Sequence, residues 1–580
     1  MRTIKKARYL VSAVGCGAAL TASCAFADQV PGAQTEEPMR RPAQPSKAAP
    51  KDLLRVAPAD VAPPVMNDPG VSIAVSAFRF SGNASVPDST LAPLLRSYIG
   101  KSLSLAELND AAAAVRRYYR GKGWFLAQAY IPAQVPTDGV VEIAVLEGRI
   151  DKLTINVAPD APIGAGYASR MAAAFLHSGQ TITETGLERP LLLMRDLPRV
   201  DAKSVIDPGS VPGTANITVN LVRDPDLRVF SGHVDFDNYG SEATGTNRLG
   251  AELSVNNPFG TGDSLSLRGF KASENGNSFG RAGYTLPFGA RGARFGVNVA
   301  RLDYVLGNLF AVLKPNGIAH VVSANVDYPI LRGRNTNLYA QLMVERKKLE
   351  DRTEAPFTSD KHTLNSARIQ LSGDVRDDFA GVTVYSVSAT RGKLHEEDPV
   401  RVANDAFGLQ TEGSFAKVLL SVQRLQQLLP GVHMMLSASG QYANKNLTSA
   451  EKFSIGGDST VRAFPVGALV GDQGYTGTAE LRWTPAMLKF NRIEVAGVMF
   501  YDIGRATRNH DNSRDLNPVN TSTIAGYGIG FNLGYGSKFL FKVSVARQSK
   551  GLEQFDPVTQ SRITEPKGGA RAWALASYAF

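Results

Sequence analysis

Arg462 is the residue in this 580-residue sequence whose surroundings most clearly call for a chemical partner. It stands in Gly456-Gly457-Asp458-Ser459-Thr460-Val461-Arg462-Ala463-Phe464-Pro465. Two glycines there allow backbone angles that other residues resist, and Pro465 fixes the exit, so the segment is built to hold a shape. A guanidinium flanked by Val461 and Phe464 in so ordered a segment needs a carboxylate, because a charge taken out of water without one is costly. Asp502, about forty residues on, is the expected partner.

Other candidate chemistry reduces to turns. Gly457-Asp458-Ser459 lacks the Gly-x-Ser-x-Gly frame and a suitably placed histidine that a hydrolase nucleophile needs. His395-Glu396-Glu397-Asp398-Pro399 is a run of adjacent residues before a proline, which seldom converges on one ion and is expected to be a solvated loop. With seven histidines and no phosphate-binding loop, the sequence offers no catalytic constellation, and no metal or cofactor is expected.

The N-terminus carries Arg2, Lys5, Lys6 and Arg8 before an apolar run from Tyr9 to about Ala22 and then Ala25-Phe26-Ala27, the pattern of a secretory signal over residues 1–27. Both cysteines, Cys16 and Cys24, fall inside it, so the mature chain is expected to lack thiols and disulfides. Subtracting the four basic residues of that signal from the net charge of +10 leaves +6, scattered rather than clustered, which argues against a nucleic-acid partner. Residues 28–70 hold nine prolines and read as an extended linker, with a short helical piece expected at Lys51 to Val56.

Compact composition begins at Val71. Residues 71–150 read β-α-α-β-β: a strand to Ser81, a helix from Val86-Pro87-Asp88 to Tyr98, and a helix Leu105 to Lys122 with Ser104 and Glu107 spaced as a capping box. Strands Phe125 to Pro132 and Val140 to Leu146 complete the module. The order recurs over residues 151–225, giving two copies of one small α+β module in tandem.

From residue 226 to Phe580 the helical period gives way to stretches of about ten residues with period-two alternation, separated by Gly, Asn, Asp and Pro clusters. Ala525, Tyr527, Ile529, Phe531, Leu533 and Tyr535 share one face, with glycines and Asn532 on the other. Ala479, Leu481 and Trp483 oppose Glu480 and Arg482, which places the two charged residues toward a polar lumen. Sixteen strands can be counted, beginning near Leu227 and ending near Ala572, an even number suited to a transmembrane β-barrel of antiparallel strands. The long connection 446–473 carries the Arg462 segment, and connections of that length are usually functional. In Arg492 to Ile503, Phe500 and Asp502 share the face that points inward if Met499, Tyr501 and Ile503 meet lipid.

Two sets of motifs resemble known families. Phe78-Arg79-Phe80-Ser81-Gly82-Asn83, the Tyr118-Tyr119-Arg120-Gly121-Lys122-Gly123-Trp124 turn and Val145-Leu146-Glu147-Gly148-Arg149-Ile150 look like POTRA domains of outer-membrane transporters. The resemblance implies that such modules receive unfolded clients by strand addition, with Phe78, Phe80, Tyr118 and Tyr119 as client-binding candidates. Gly-Gly-x-x-x-Val-Arg-x-Phe (Gly456, Gly457, Val461, Arg462, Phe464) together with Phe500-x-Asp502-x-Gly504 is similar to the loop-and-strand motif of two-partner-secretion transporters, the hemolysin or hemagglutinin activation and secretion family. That resemblance implies a loop folded into the barrel with Arg462 meeting the inward-facing Asp502 and Phe464 as its anchor. This chain has Ala463 where the commoner motif has Gly.

The implied function is export of an unfolded adhesin- or hemolysin-type exoprotein, bearing an N-terminal secretion domain, through a monomeric barrel in the bacterial outer membrane. The modules would lie in the periplasm, the surroundings would be outer-membrane lipid, and barrel assembly machinery would insert the chain. The alternatives are an outer-membrane assembly or lipid-handling factor of the same superfamily, and a passive porin.

Overall fold

The computed structural model describes residues 53–56 and 72–580, apart from 275, 308–314, 355–356, 486–491, 516, 557–560 and 565–567. The expected signal, and the linker other than residues 53–56, lie outside the described residues. Leu54–Val56 is a strand rather than part of a helix, paired in parallel with Ser204, Val205 and Ile206. So short a segment has no conformational preference strong enough to resist an open sheet edge, and the edge decides.

In the first module, Ala77–Ser81 pairs in parallel with Val140–Leu146, which pairs antiparallel with Gln128–Tyr130. The helix Leu105–Gly121 packs Leu108, Ala111, Ala112, Val115 and Tyr119 inward, and the Ser104–Glu107 capping box closes its N-terminus. The expected helix to Tyr98 is α-helical only over Asp88–Leu91 and then tightens to a 3-10 helix over Ala92–Tyr98. Pro93, which has no N–H to donate, sits in the first turn of that tightened stretch. The second module repeats the theme with helices Ala165–Ala173 and Glu184–Arg195 against strands Arg149–Val157, Val200–Pro208 and Thr214–Arg223.

The rest closes into one barrel of sixteen strands. They are β1 (Phe230–Asp237), β2 (Arg248–Asn256), β3 (Ser264–Ala272), β4 (Ser278–Phe288), β5 (Ala293–Val305), β6 (Asn316–Arg332), β7 (Thr336–Glu354) and β8 (Phe357–Arg376). The circuit continues with β9 (Gly381–Glu396), β10 (Gly413–Leu429), β11 (Val432–Ala443), β12 (Gln473–Trp483), β13 (Ile493–Thr507), β14 (Thr521–Tyr535), β15 (Phe539–Lys550) and β16 (Arg571–Ala579). All neighbours are antiparallel, and β1 pairs with β16 from His233–Ala579 to Asp237–Leu575, so no edge is left open. No helix among the described residues is long and apolar enough to cross a membrane.

The alternation sorts the two faces as a membrane barrel requires. On β13 Met499 and Tyr501 point outward while Phe500 and Asp502 are buried inside; on β14 Tyr527, Ile529 and Phe531 point outward. Ala525 departs from the expected outward set and is buried, next to a register shift between Ala525 and Gly526 against β15. The His395 run is also not a loop throughout: β9 extends to Glu396, and Asp398 caps a short helix, Pro399–Phe407, by accepting from the Val400 N–H.

The second module is clasped to the barrel. The Arg332 guanidinium forks onto both Asp196 oxygens at 2.9 Å, and Arg189 donates to the carbonyls of Pro329 and Ile330 at 2.9 Å. Gly262 and Gly292 sit under Leu197 and Leu193, where an added Cβ would come within 2.9 and 2.7 Å of leucine methyls.

Candidate functional site: a loop latched inside the barrel

The chain between β11 and β12 turns into the lumen. A 3-10 turn, Ser449–Glu451, leads to a small hairpin of Phe453–Ile455 with Leu469–Gly471, and the tip between them carries Arg462. Gly456 and Gly457 have φ of 115° and 97°, a region closed to most side chains, and a Cβ on Gly456 would lie 2.2 Å from the Pro465 carbonyl oxygen. The Gly457 N–H donates to the Phe464 carbonyl at 3.0 Å, closing the tip.

The structure brings Arg462 and Asp502 together. Nε and Nη2 donate to the two carboxylate oxygens at 2.9 Å each, and the Arg462 backbone N–H adds a third bond at 3.1 Å. Asp502 is fully buried and also accepts from the Thr478 hydroxyl at 2.9 Å. A second carboxylate completes the site: Arg462 Nη1 donates to Glu480 at 2.7 Å, and Glu480 takes a further bond from Arg482 at 2.6 Å. Two cations and two carboxylates therefore balance to no net charge in the cluster, with the carboxylates' lone pairs taken up by hydrogen bonds. The guanidinium carbon stacks 3.3 Å from the centre of the Phe500 ring.

Small residues make the room. A Cβ on Gly504 would meet Ile455 Cγ2 at 2.5 Å and Val461 Cγ2 at 3.0 Å, and one on Gly528 would lie 2.4 Å from the Phe500 ring. Phe464, Val461, Ala463, Ile455 and Phe453 form an apolar cluster with Val498, Phe500 and Ile524 of the wall. Ala463, where the commoner motif has Gly, is accommodated because Gly526 lies beneath it, its built Cβ only 2.3 Å from that of Ala463. Sequence reasoning missed Trp573 on β16, whose indole N–H donates to the Arg462 carbonyl at 2.7 Å. Nothing local in Arg571-Ala572-Trp573 signals a bond to a residue 111 positions away.

The four client-binding candidates do not sit together at a surface. Phe80 and Tyr119 are buried in the first module's core, where alternation and the helical face put them, and the Tyr119 hydroxyl donates to Glu147 at 3.1 Å. Burial and that carboxylate push the phenol well above its ordinary pKa. Phe78 and Tyr118 are only partly buried. Among the described residues no group of His, Cys, Asp and Glu is placed to hold a metal ion.

Known proteins match this arrangement over most of its length. The family model described as haemolysin secretion/activation protein ShlB/FhaC/HecB matches residues 214–533, and that of the ShlB-type POTRA domain matches residues 73–148. The heme/hemopexin transporter protein HuxB of Haemophilus influenzae is 28% identical over 468 residues, 80% of this chain and 81% of the relative. The outer membrane transporter CdiB of Dickeya dadantii is 23% identical over 414 residues, 70% of this chain and 71% of that one. Among solved structures, CdiB from Escherichia coli superposes with a TM-score of 0.69 at 20% identity over 90% of this chain and 94% of its own, a likeness of fold. With the family model covering more than half of its residues, and the first module and the sixteen-stranded barrel in place, the chain belongs to the haemolysin secretion/activation family of outer-membrane transporters.

Proposed function

We propose that this chain is the transporter half of a two-partner secretion system: it takes an unfolded exoprotein in the periplasm and passes it outward through the barrel. The observation that carries this reading is the latched loop, Arg462 on Asp502 and Glu480, lying in a polar lumen between periplasmic modules and the outside. A passive porin has no use for two client-receiving modules, the second of them clasped to the barrel rim by Arg332 and Asp196. The lumen beside the loop keeps a cavity of about 820 Å³ lined by charged, polar and interspersed apolar side chains from β1 to β11 and from the loop, room for an extended chain. No part of the reading calls for catalysis, so the work is transport, driven by folding of the client outside.

The second module is, on its element order, a second POTRA module. The open strand edges Ala77–Ser81 and Gln128–Tyr130 of the first module suit capture of an extended client segment, whereas one edge of the second is taken by Leu54–Val56. Outer-membrane lipid covers the aromatic outward face, the barrel assembly machinery inserts the chain, and one chain suffices because the barrel closes on itself. Expressing the chain, with and without residues 72–223, beside each large secreted protein of its host tests this. One client reaching the medium only with the intact chain supports export; altered outer-membrane protein or lipid composition with no exported client supports an assembly or lipid role instead.

A further inference from the structure

The loop is held to the wall at a second place that the latch does not touch. At its root, Glu451 is buried between two lysines from separate strands: Lys347 of β7 reaches one carboxylate oxygen at 2.7 Å and Lys417 of β10 the other at 2.7 Å. Both ammonium groups are nearly as buried as the carboxylate. One residue on, Lys452 pairs with the fully buried Asp472 at 2.9 Å, joining the descending arm of the loop to the ascending one. Asp472 in turn accepts from the backbone N–H of Leu447 at 3.0 Å and of His510 at 2.8 Å, so the pair is also tied to the β13–β14 connection.

These contacts involve β7, β10 and that connection, whereas Arg462 is held by β12, β13 and β16. Between the two attachments lie residues with the backbone of a pivot. Gly456 and Gly457 leave the hairpin on one arm with φ of 115° and 97°, and Gly467 returns on the other with φ of 71°. The three glycines bracket the tip and lie outside the root. Charges buried in mutual contact give way reluctantly, because separating them strands each one away from water.

We propose that Glu451 with Lys347 and Lys417, and Lys452 with Asp472, anchor the root of the loop, so that release of Arg462 turns only the tip, residues 456–467, about its glycines. The five charged residues are positioning residues for transport: they keep the loop resident in the lumen while its tip moves. This inference rests on the reading of the lumen as the client's path, but its test needs no client.

The mature chain is expected to carry no cysteine, so spin-label pairs can be introduced cleanly at Ala438→Cys, exposed on β11 on the face opposite the lumen-lining Ser439 and Gln441, with either Ser459→Cys at the tip or Ser454→Cys at the root. Pulsed distance measurements on the purified full-length barrel in detergent or bilayer then report each part separately. In Arg462→Ala the tip distribution should widen to several times its original width while the root stays as it was. In Glu451→Gln or Lys452→Met the root should widen as well. A root that loosens in Arg462→Ala as much as the tip, or that keeps its original width in whichever of the two root variants assembles, overturns the proposal. Neither result depends on whether a client is exported, so failure here is distinct from failure of the transport reading.

Discussion

The indole N–H of Trp573 donates to the Arg462 carbonyl at 2.7 Å, which ties the tip of the lumen loop to the strand that closes the barrel. Tyr239, just past β1, stacks edge-on against the same indole with ring centres 6.0 Å apart, so the other side of the closing seam supports the residue that holds the tip. Trp573→Phe keeps an aromatic side chain, smaller than the indole, and removes the donor, leaving the Arg462 carbonyl without its partner. The expected local cost is about 1 to 3 kcal/mol. It should appear as faster amide exchange at Gly457 and Phe464 with the barrel's own melting unchanged; unchanged exchange at those amides contradicts the assignment.

Arg462→Ala leaves Asp502, wholly buried, with only a backbone N–H and the Thr478 hydroxyl. The local penalty is on the order of 3 to 5 kcal/mol, lessened by whatever lumen water reaches the site. Secretion should fall steeply while the barrel still assembles. Arg462→Lys should rescue little of it, since an ammonium cannot fork onto one carboxylate, reach Glu480 and stack on Phe500 at once. Normal export by either variant would remove the role given to the latch.

Ala463 and Gly526 should behave as a compensating pair. Gly526→Ala forces two Cβ atoms toward a separation of 2.3 Å, and overpacking of this kind costs about 1 to 3 kcal/mol. The tip should lift, raising resting conductance in planar bilayers. Adding Ala463→Gly should bring the conductance back down; a double variant that conducts like Gly526→Ala alone would refute the contact.

Ser104→Ala should loosen the first module by about 1 kcal/mol through loss of the cap on Leu105–Gly121. The Glu107 carboxyl is held below its ordinary pKa chiefly by the Ser104 backbone N–H and then by the hydroxyl. Its contribution is therefore full above the unfolded carboxyl's pKa and is lost as pH falls through the lowered folded value. Amide exchange of this helix in the full chain, followed from neutral to acid pH, should show the difference between Ser104→Ala and the unaltered chain shrinking at the acid end.

Period-two alternation made the barrel legible, because one face of each strand meets lipid and the other water, and the strand expected near Leu227 begins at Phe230. The 3-10 stretch after Leu91 and the strand at Leu54–Val56 were not readable in the same way. Each is decided by a local exception, a proline in one case and a borrowed sheet edge in the other. Asp502 could be aimed at Arg462 from its place on the alternating strand. The bond from Arg462 to Glu480, the one from Trp573 to Arg462 and the Lys347–Glu451 contact join residues 18, 111 and 104 positions apart, and only the closed barrel brings them together.

The path of the client is the central claim, and cross-linking from the barrel wall reads it directly. A client fused to a stably folded domain should stall in transit. Photo-reactive residues at the lumen-facing Gln370 and Ser386 should then capture it, while those at the outward-facing Tyr527 and Ile529 should not. Capture confined to the outward positions, or none at any position while the client still reaches the medium, would contradict passage through this barrel.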